Sequence, residues 1–164
     1  MVALTDNINY LQPSGFKVIM DRKFYPNLVF FATSFIHPST GLQPSYAPRS
    51  RADIRFAGDK LTFGEVQLNI ILDEDMHGFT EVYNWMEEIV NVERTPMSAR
   101  TDTQRSTECD MSVMVLNNKN NTSKEIVYRD AIPTSLGDIS FDTASGDNFI
   151  TVPVSLAFTS FTIR

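Results

Sequence analysis

The side chains that carry most protein chemistry are scarce in this sequence and poorly spaced for it. There are two histidines, His37 and His77, and one cysteine, Cys109. Nucleophilic catalysis needs a nucleophile beside a base that a third group orients. Serines and aspartates are plentiful, but His37 falls in a proline-rich stretch and Cys109 has no local signature, so no catalytic residue is assigned. Zinc needs Cys and His clustered at short spacing, and two isolated histidines with one cysteine do not supply it. The acidic cluster Asp73-Glu74-Asp75 lacks the alternating ligands and central glycine of a calcium loop. It reads as the end of a strand running into a helix N-terminus, where negative charge is favourable. No metal ligand is assigned. The glycines stand singly and form no phosphate-cradling loop, so no cofactor is expected. Arg49, Arg51 and Arg55 make a modest basic cluster whose odd-numbered spacing would put them on one strand face. A subunit interface accounts for them as well as nucleic acid does. The sequence therefore predicts a protein that is not an enzyme.

The elements that would position these residues follow from patterning. The 164 residues, 42% of them hydrophobic, suffice for one domain spanning 1–164 with its own core. A formal charge of −6 opposes tight wrapping of nucleic acid, which needs many cations against phosphate. A lone cysteine excludes an internal disulfide, and hence a secreted disulfide scaffold. The start Met1-Val2-Ala3-Leu4-Thr5-Asp6 has no basic, apolar leader pattern, and the longest apolar runs fall far short of a membrane span. A soluble protein made in the cytoplasm, with no membrane partner, is the expectation.

Residues 1–15 read as an extended arm. Strands are expected at Phe16 to Met20 and Leu28 to Ile36, the latter rich in aromatic and β-branched residues. Residues 37–50 contain Pro38, Pro44 and Pro48, each lacking a ladder donor, and are expected to form a long interface loop outside any sheet. Arg51 to Phe56 and Glu65 to Leu72 are expected to pair as a hairpin turning near Gly58-Asp59-Lys60. In the second arm Val66, Leu68, Ile70 and Leu72 alternate with Glu65, Gln67 and Asn69, the pattern of a half-buried strand.

One helix is expected over 77–91, with Phe79, Val82, Tyr83, Met86, Ile89 and Val90 as its apolar stripe and Trp85 off that stripe, covering a flank or a partner. Residues 93–107 are polar, with Arg94, Arg100 and Arg105 dispersed, and read as a loop. Strands resume at Asp110 to Leu116 and Lys124 to Arg129, followed by a corner at Ile132 to Leu136 and a short strand at Ile139 to Asp142. The last strand alternates Ile150, Val152, Val154, Leu156 and Phe158 against polar neighbours. Pro153 in it implies an exposed edge or an interruption. Past Ser160 the parity switches to Phe161 and Ile163, which implies a bulge or a new neighbour. Seven or eight strands without βαβ alternation, plus one helix, give a mainly β protein: an antiparallel sandwich or barrel flanked by one α-helix.

The order of these motifs resembles the contractile-phage tail tube protein family, including tube initiator, terminator and baseplate-end relatives. The stretches that carry it are Phe56-Ala57-Gly58-Asp59-Lys60, Gly64-Glu65-Val66-Gln67-Leu68-Asn69-Ile70, Leu72-Asp73-Glu74-Asp75, the helix through Tyr83-Asn84-Trp85, Lys124-Glu125-Ile126 and Ile132-Pro133-Thr134-Ser135-Leu136-Gly137-Asp138-Ile139. They span roughly residues 50–164. Within the arm, Asn9-Tyr10-Leu11-Gln12-Pro13-Ser14-Gly15-Phe16, with Tyr25-Pro26-Asn27-Leu28 after it, looks more like the tube-end relatives. The resemblance implies a structural virion protein of a contractile tail, a homo-oligomer of hexameric, stacked rings. Sheath and baseplate or neck proteins would be its partners, and DNA would pass through the lumen without specific binding, the acidic balance letting a polyanion slide. Arm and loop would touch neighbouring subunits, while the hairpin at 51–72 and the final strand would build the inner barrel. Three alternatives follow: a single tube-end ring, the tube of a phage-derived injection machine, and a monomeric ligand-binding β-barrel.

Overall fold

The computed structural model describes residues 10–20, 25–90, 108–142 and 149–164. The polar loop expected at 93–107, the start of the arm and the turn at Ser145-Gly146-Asp147 lie outside them. The elements are β1 (Phe16–Ile19), α1 (Pro26–Phe30), β2 (Ala32–Ile36), β3 (Thr40–Leu42), β4 (Ser45–Ala47), β5 (Ile54–Phe56), β6 (Leu61–Phe63), β7 (Val66–Ile71), α2 (His77–Val90), β8 (Cys109–Leu116), β9 (Thr122–Leu136), β10 (Thr151–Ala157) and β11 (Ser160–Ile163).

The strands that form the body run in the order β1-β8-β9-β10-β7-β2, with β11 also on β9, and every pairing is antiparallel. The fold is mainly β and sandwich-like. Its sheets do not close into a barrel within the described residues.

The 15-residue β9 joins two sheets. Its first half pairs with β8 and β11, and its second half, from Ile132, pairs with β10. The change of partner falls at Asp130, whose φ of 56° puts it in the left-handed region and whose N–H donates to the Asp110 carboxylate at 3.3 Å. Asp tolerates that region better than most residues, so one residue turns the strand from one sheet into the other. The corner expected at Ile132 to Leu136 is instead continuous strand, with the bend two residues earlier. The parity switch after Ser160 is a change of neighbour: β10 lies on the second half of β9 and β11 on the first.

Pro153 lies in the interior of its sheet rather than at an edge. Its carbonyl faces β9 and accepts the Gly137 N–H at 2.8 Å, just where the β9 ladder ends at Leu136. The nitrogen that cannot donate faces the same way, so the one bond missing is the reciprocal one to Gly137, just past the end of the β9 ladder, and the ladder to β7 is untouched. Gly137 is required there because a Cβ would overlap the Pro153 ring.

Two helices cover the core face of the sheet β9-β10-β7-β2. The strand expected from Leu28 begins only at Ala32; Pro26 opens the helical turn α1 ahead of it, proline being preorganised for a first helical position. The turn is too short to satisfy its own donors. Glu81 of α2 does so, accepting from the backbone N–H groups of Asn27 (3.2 Å) and Leu28 (3.1 Å) and from Asn27 Nδ2 (2.7 Å). The buried face of α2 is Gly78, Val82 and Trp85. Of the expected stripe, Val82 is buried and Phe79 and Met86 pack half-buried against the core. Trp85 is fully buried, with its ring 4.6 Å from Tyr25, while Tyr83, Ile89 and Val90 are exposed. Several apolar residues on both sides of a helix leave its phase undetermined by periodicity alone; Trp85, the largest side chain, takes the core. It packs in one cluster with Val66, Leu68, Ile70, Val152, Val154 and Leu156 of β7 and β10, and with Met111, Val113 and Tyr128 of the other sheet.

Candidate functional site

Residues 37–63 leave the body as a projecting hairpin. β3 pairs with β6 (Thr40↔Phe63, Leu42↔Leu61) and β4 with β5 (Ser45↔Phe56, Ala47↔Ile54). The stretch at 37–50 is thus half of two short ladders rather than a loop. Its prolines, at 38, 44 and 48, all fall outside the paired residues, so they cost no ladder bond. The hairpin expected between 51–56 and 65–72 is corrected accordingly: β5 pairs back onto β4, and β7 pairs with β2 and β10. Gly58 holds the kink between the two ladders, where a Cβ would collide with the Gln43 carbonyl.

The hairpin is rooted by rings. Phe63 lies 5.6 Å from Phe158 and 5.4 Å from Phe161, and the His37 ring stands edge-on to Phe161 at 5.1 Å. The His37 Nδ1 is 2.6 Å from the hydroxyl of Tyr128, which is buried and whose pKa burial raises. A buried phenol needs a hydrogen-bond partner, and His37 supplies it at the foot of the hairpin. That is a structural use of a histidine considered for catalysis. Beyond the root, Leu42, Tyr46, Phe56 and Leu61 are each more than half exposed among the described residues. Of the three arginines, only Arg55 is on a strand; its guanidinium lies 5.8 Å from the Tyr46 ring centre, while Arg49 and Arg51 precede β5. They do not share one strand face.

The Cys109 sulfur points to the neighbouring Asp110 carbonyl at 3.4 Å. The acidic cluster does meet a histidine. His77 Nδ1 is 2.8 Å from the Asp73 carboxylate and 4.0 Å from that of Asp75 at the start of α2. One ligand atom from each of the three lies within 4.8 Å of the others, so these residues could hold a cation. The hydrogen bond between them holds the Asp73 carboxyl below its ordinary range and raises His77 above its own. The four-residue step from Asp73 to His77 was the signal for this pairing.

The remaining surface is the second face of the sheet β9-β10-β7-β2. Opposed residues put Ser34, Asn69 and Pro153 in one row, and Ile36, Gln67, Ser155 and Ser135 in the next. Asn69 Nδ2 donates to Ser34 Oγ at 2.8 Å along the first row.

No protein-family model matches this chain, and no curated protein matches it. Solved structures do. A chain of the tube-terminating cap of the anti-feeding prophage superposes with a TM-score of 0.67 at 14% identity, over 100% of this chain and 95% of that one. A chain of the sheath/tube terminator of an extracellular contractile injection system, in its extended state, gives 0.64 at 14% identity, over 96% and 99%. A chain of the six-fold symmetrised anti-feeding prophage baseplate gives 0.61 at 12% identity, over 100% and 97%. The chain shares its fold with these cap, terminator and baseplate chains.

Proposed function

We propose that this chain is a non-enzymatic structural subunit of a contractile tail or injection tube. Six copies close into a ring whose bore is the ejection channel, for DNA in a phage tail. In that reading sheath and baseplate or neck proteins surround it, and the finished ring resides in the virion tail. The observation that carries the reading is the end-to-end match of the fold to the anti-feeding prophage tube cap. The uncovered apolar hairpin fits it, because interface anchors are large apolar and aromatic side chains. The six-fold baseplate relative supports the copy number. A single ring at the tube end is the second reading, favoured by the cap and terminator neighbours. A monomeric ligand-binding barrel gains no support, since Trp85, Tyr25 and Tyr128 fill the interior and the sheets stay open among the described residues.

Negative-stain microscopy of the purified chain, with mass from light scattering, tests it. Stacked hollow rings are expected for a tube subunit and unstacked rings for a tube-end protein. A persistent monomer at micromolar concentration and above overturns both.

A further inference from the structure

The four strand segments of one sheet, Ala32–Ile36, Val66–Ile71, residues 132–136 of β9 and Thr151–Ala157, contain no Asp, Glu, Lys or Arg, in a chain that is 21% charged. The other sheet carries Lys17, Asp110, Lys124, Glu125 and Arg129. Burial does not explain the difference. One face of the neutral sheet is core, but the other is open: Gln67, Pro153 and Ser135 are exposed, and Ser34, Asn69 and Ser155 half-exposed. An antiparallel sheet with one wet face ordinarily puts charged residues there.

Resting on the ring reading, we propose that this open face lines the bore as a charge-neutral, hydrogen-bonding wall, so that passage is limited by width and not by the sign of the cargo's charge. The face is a poor protein interface. Its central side chains are small and polar, and its large apolar ones, Ile36, Ile71 and Ile132, stand on the edge strand or at strand ends. Buried interfaces instead centre on aromatic and arginine anchors, which this chain displays on the hairpin. The occupant of the face is therefore water and a moving solute rather than a docked chain. A wall of Ser, Asn and Gln offers each passing group weak, exchangeable hydrogen bonds and no fixed charge to trap or repel it. The overall acidity of the chain does not extend to it.

The test uses the full chain as Ser155→Cys in a Cys109→Ser background, assembled as in the native protein, with Asn84→Cys on the exposed side of α2 as the outside reference. Thiols are modified with a cationic and an anionic methanethiosulfonate of equal size, each rate divided by that for free cysteine, at low and high salt. They are also challenged with a maleimide on a protein carrier too wide for the bore. Expected are shielding of Ser155→Cys from the carrier with Asn84→Cys labelled, and cation and anion rates within about twofold of each other and insensitive to salt. A cation preference of about tenfold or more that collapses in salt would mean an acidic bore and overturn the neutral wall. Ready labelling of Ser155→Cys by the carrier would put the face outside the bore. Either result, obtained on intact rings, leaves the ring reading standing, whereas absence of rings in the native chain removes that reading and the bore with it.

Discussion

The two-sheet body and the projecting hairpin are built from similar residues and use them in opposite ways. In the body, Val66, Leu68, Ile70, Val152, Val154 and Leu156 alternate inward and are fully buried under Trp85 and Val82. In the hairpin, Leu42, Tyr46, Phe56 and Leu61 sit on two three-residue ladders and are each more than half exposed among the described residues. A two-stranded ladder alone is marginal in water, and exposed apolar clusters on a soluble chain mark contact surfaces. The body's apolar residues fold the subunit. Those of the hairpin are, in the proposed ring, its contacts with other copies.

This contrast predicts that lesions in the two regions separate stability from assembly. The largest expected effect is Trp85→Ala, which opens a cavity between α2 and the sheet and should cost about 3–5 kcal/mol in urea unfolding. Tyr83→Ala, two residues away on the exposed side, should cost less than about 0.5 kcal/mol. Next is Glu81→Ala, which leaves the donors at the start of α1 without their carboxylate and should cost about 1.5–3 kcal/mol. Gly58→Val drives a side chain into the Gln43 carbonyl and distorts the hairpin. It should abolish assembly while shifting the unfolding midpoint of the isolated subunit little.

The smallest effect belongs to the pair at the start of α2. His77 is raised and Asp73 lowered by the same hydrogen bond. The His77 contribution is complete below the ordinary imidazole value of about 6.5 and is lost as pH rises through the raised value. That of Asp73 is complete above the ordinary carboxyl value of about 3.9 and is lost as pH falls through the lowered one. His77→Ala should therefore lower thermal stability slightly between about pH 4 and 6.5, with the difference from the native chain shrinking as pH rises further.

Legibility in the sequence followed the same division. The strands of the body were readable because period-two alternation reports one buried face, as in Val66 to Ile71 and Thr151 to Ala157. What depended on partners was not. The pairing of β5 with β4 rather than β7 is a tertiary choice, and the prolines of 37–50 hid short ladders that skip them. Apolar residues on both sides of α2 made its phase ambiguous, and the one that decides it, Trp85, was expected to cover a flank or a partner. Asp130 in the left-handed region leaves no mark in the sequence beyond being an Asp, so the continuity of β9 across two sheets was read as a strand and a separate corner. The neutral face was legible throughout in its composition, although its place beside the charged sheet needed the register.

The central claim is that the hairpin's exposed side chains exist to meet other copies. Sedimentation velocity of the native chain beside a Phe56→Ser, Leu61→Ser double variant tests it most directly, with unfolding midpoints measured in parallel. Expected are rings or larger assemblies for the native chain, a monomer for the variant, and equal midpoints for the two dissociated subunits. A variant that assembles as well as the native chain, or a native chain that stays monomeric, would contradict it.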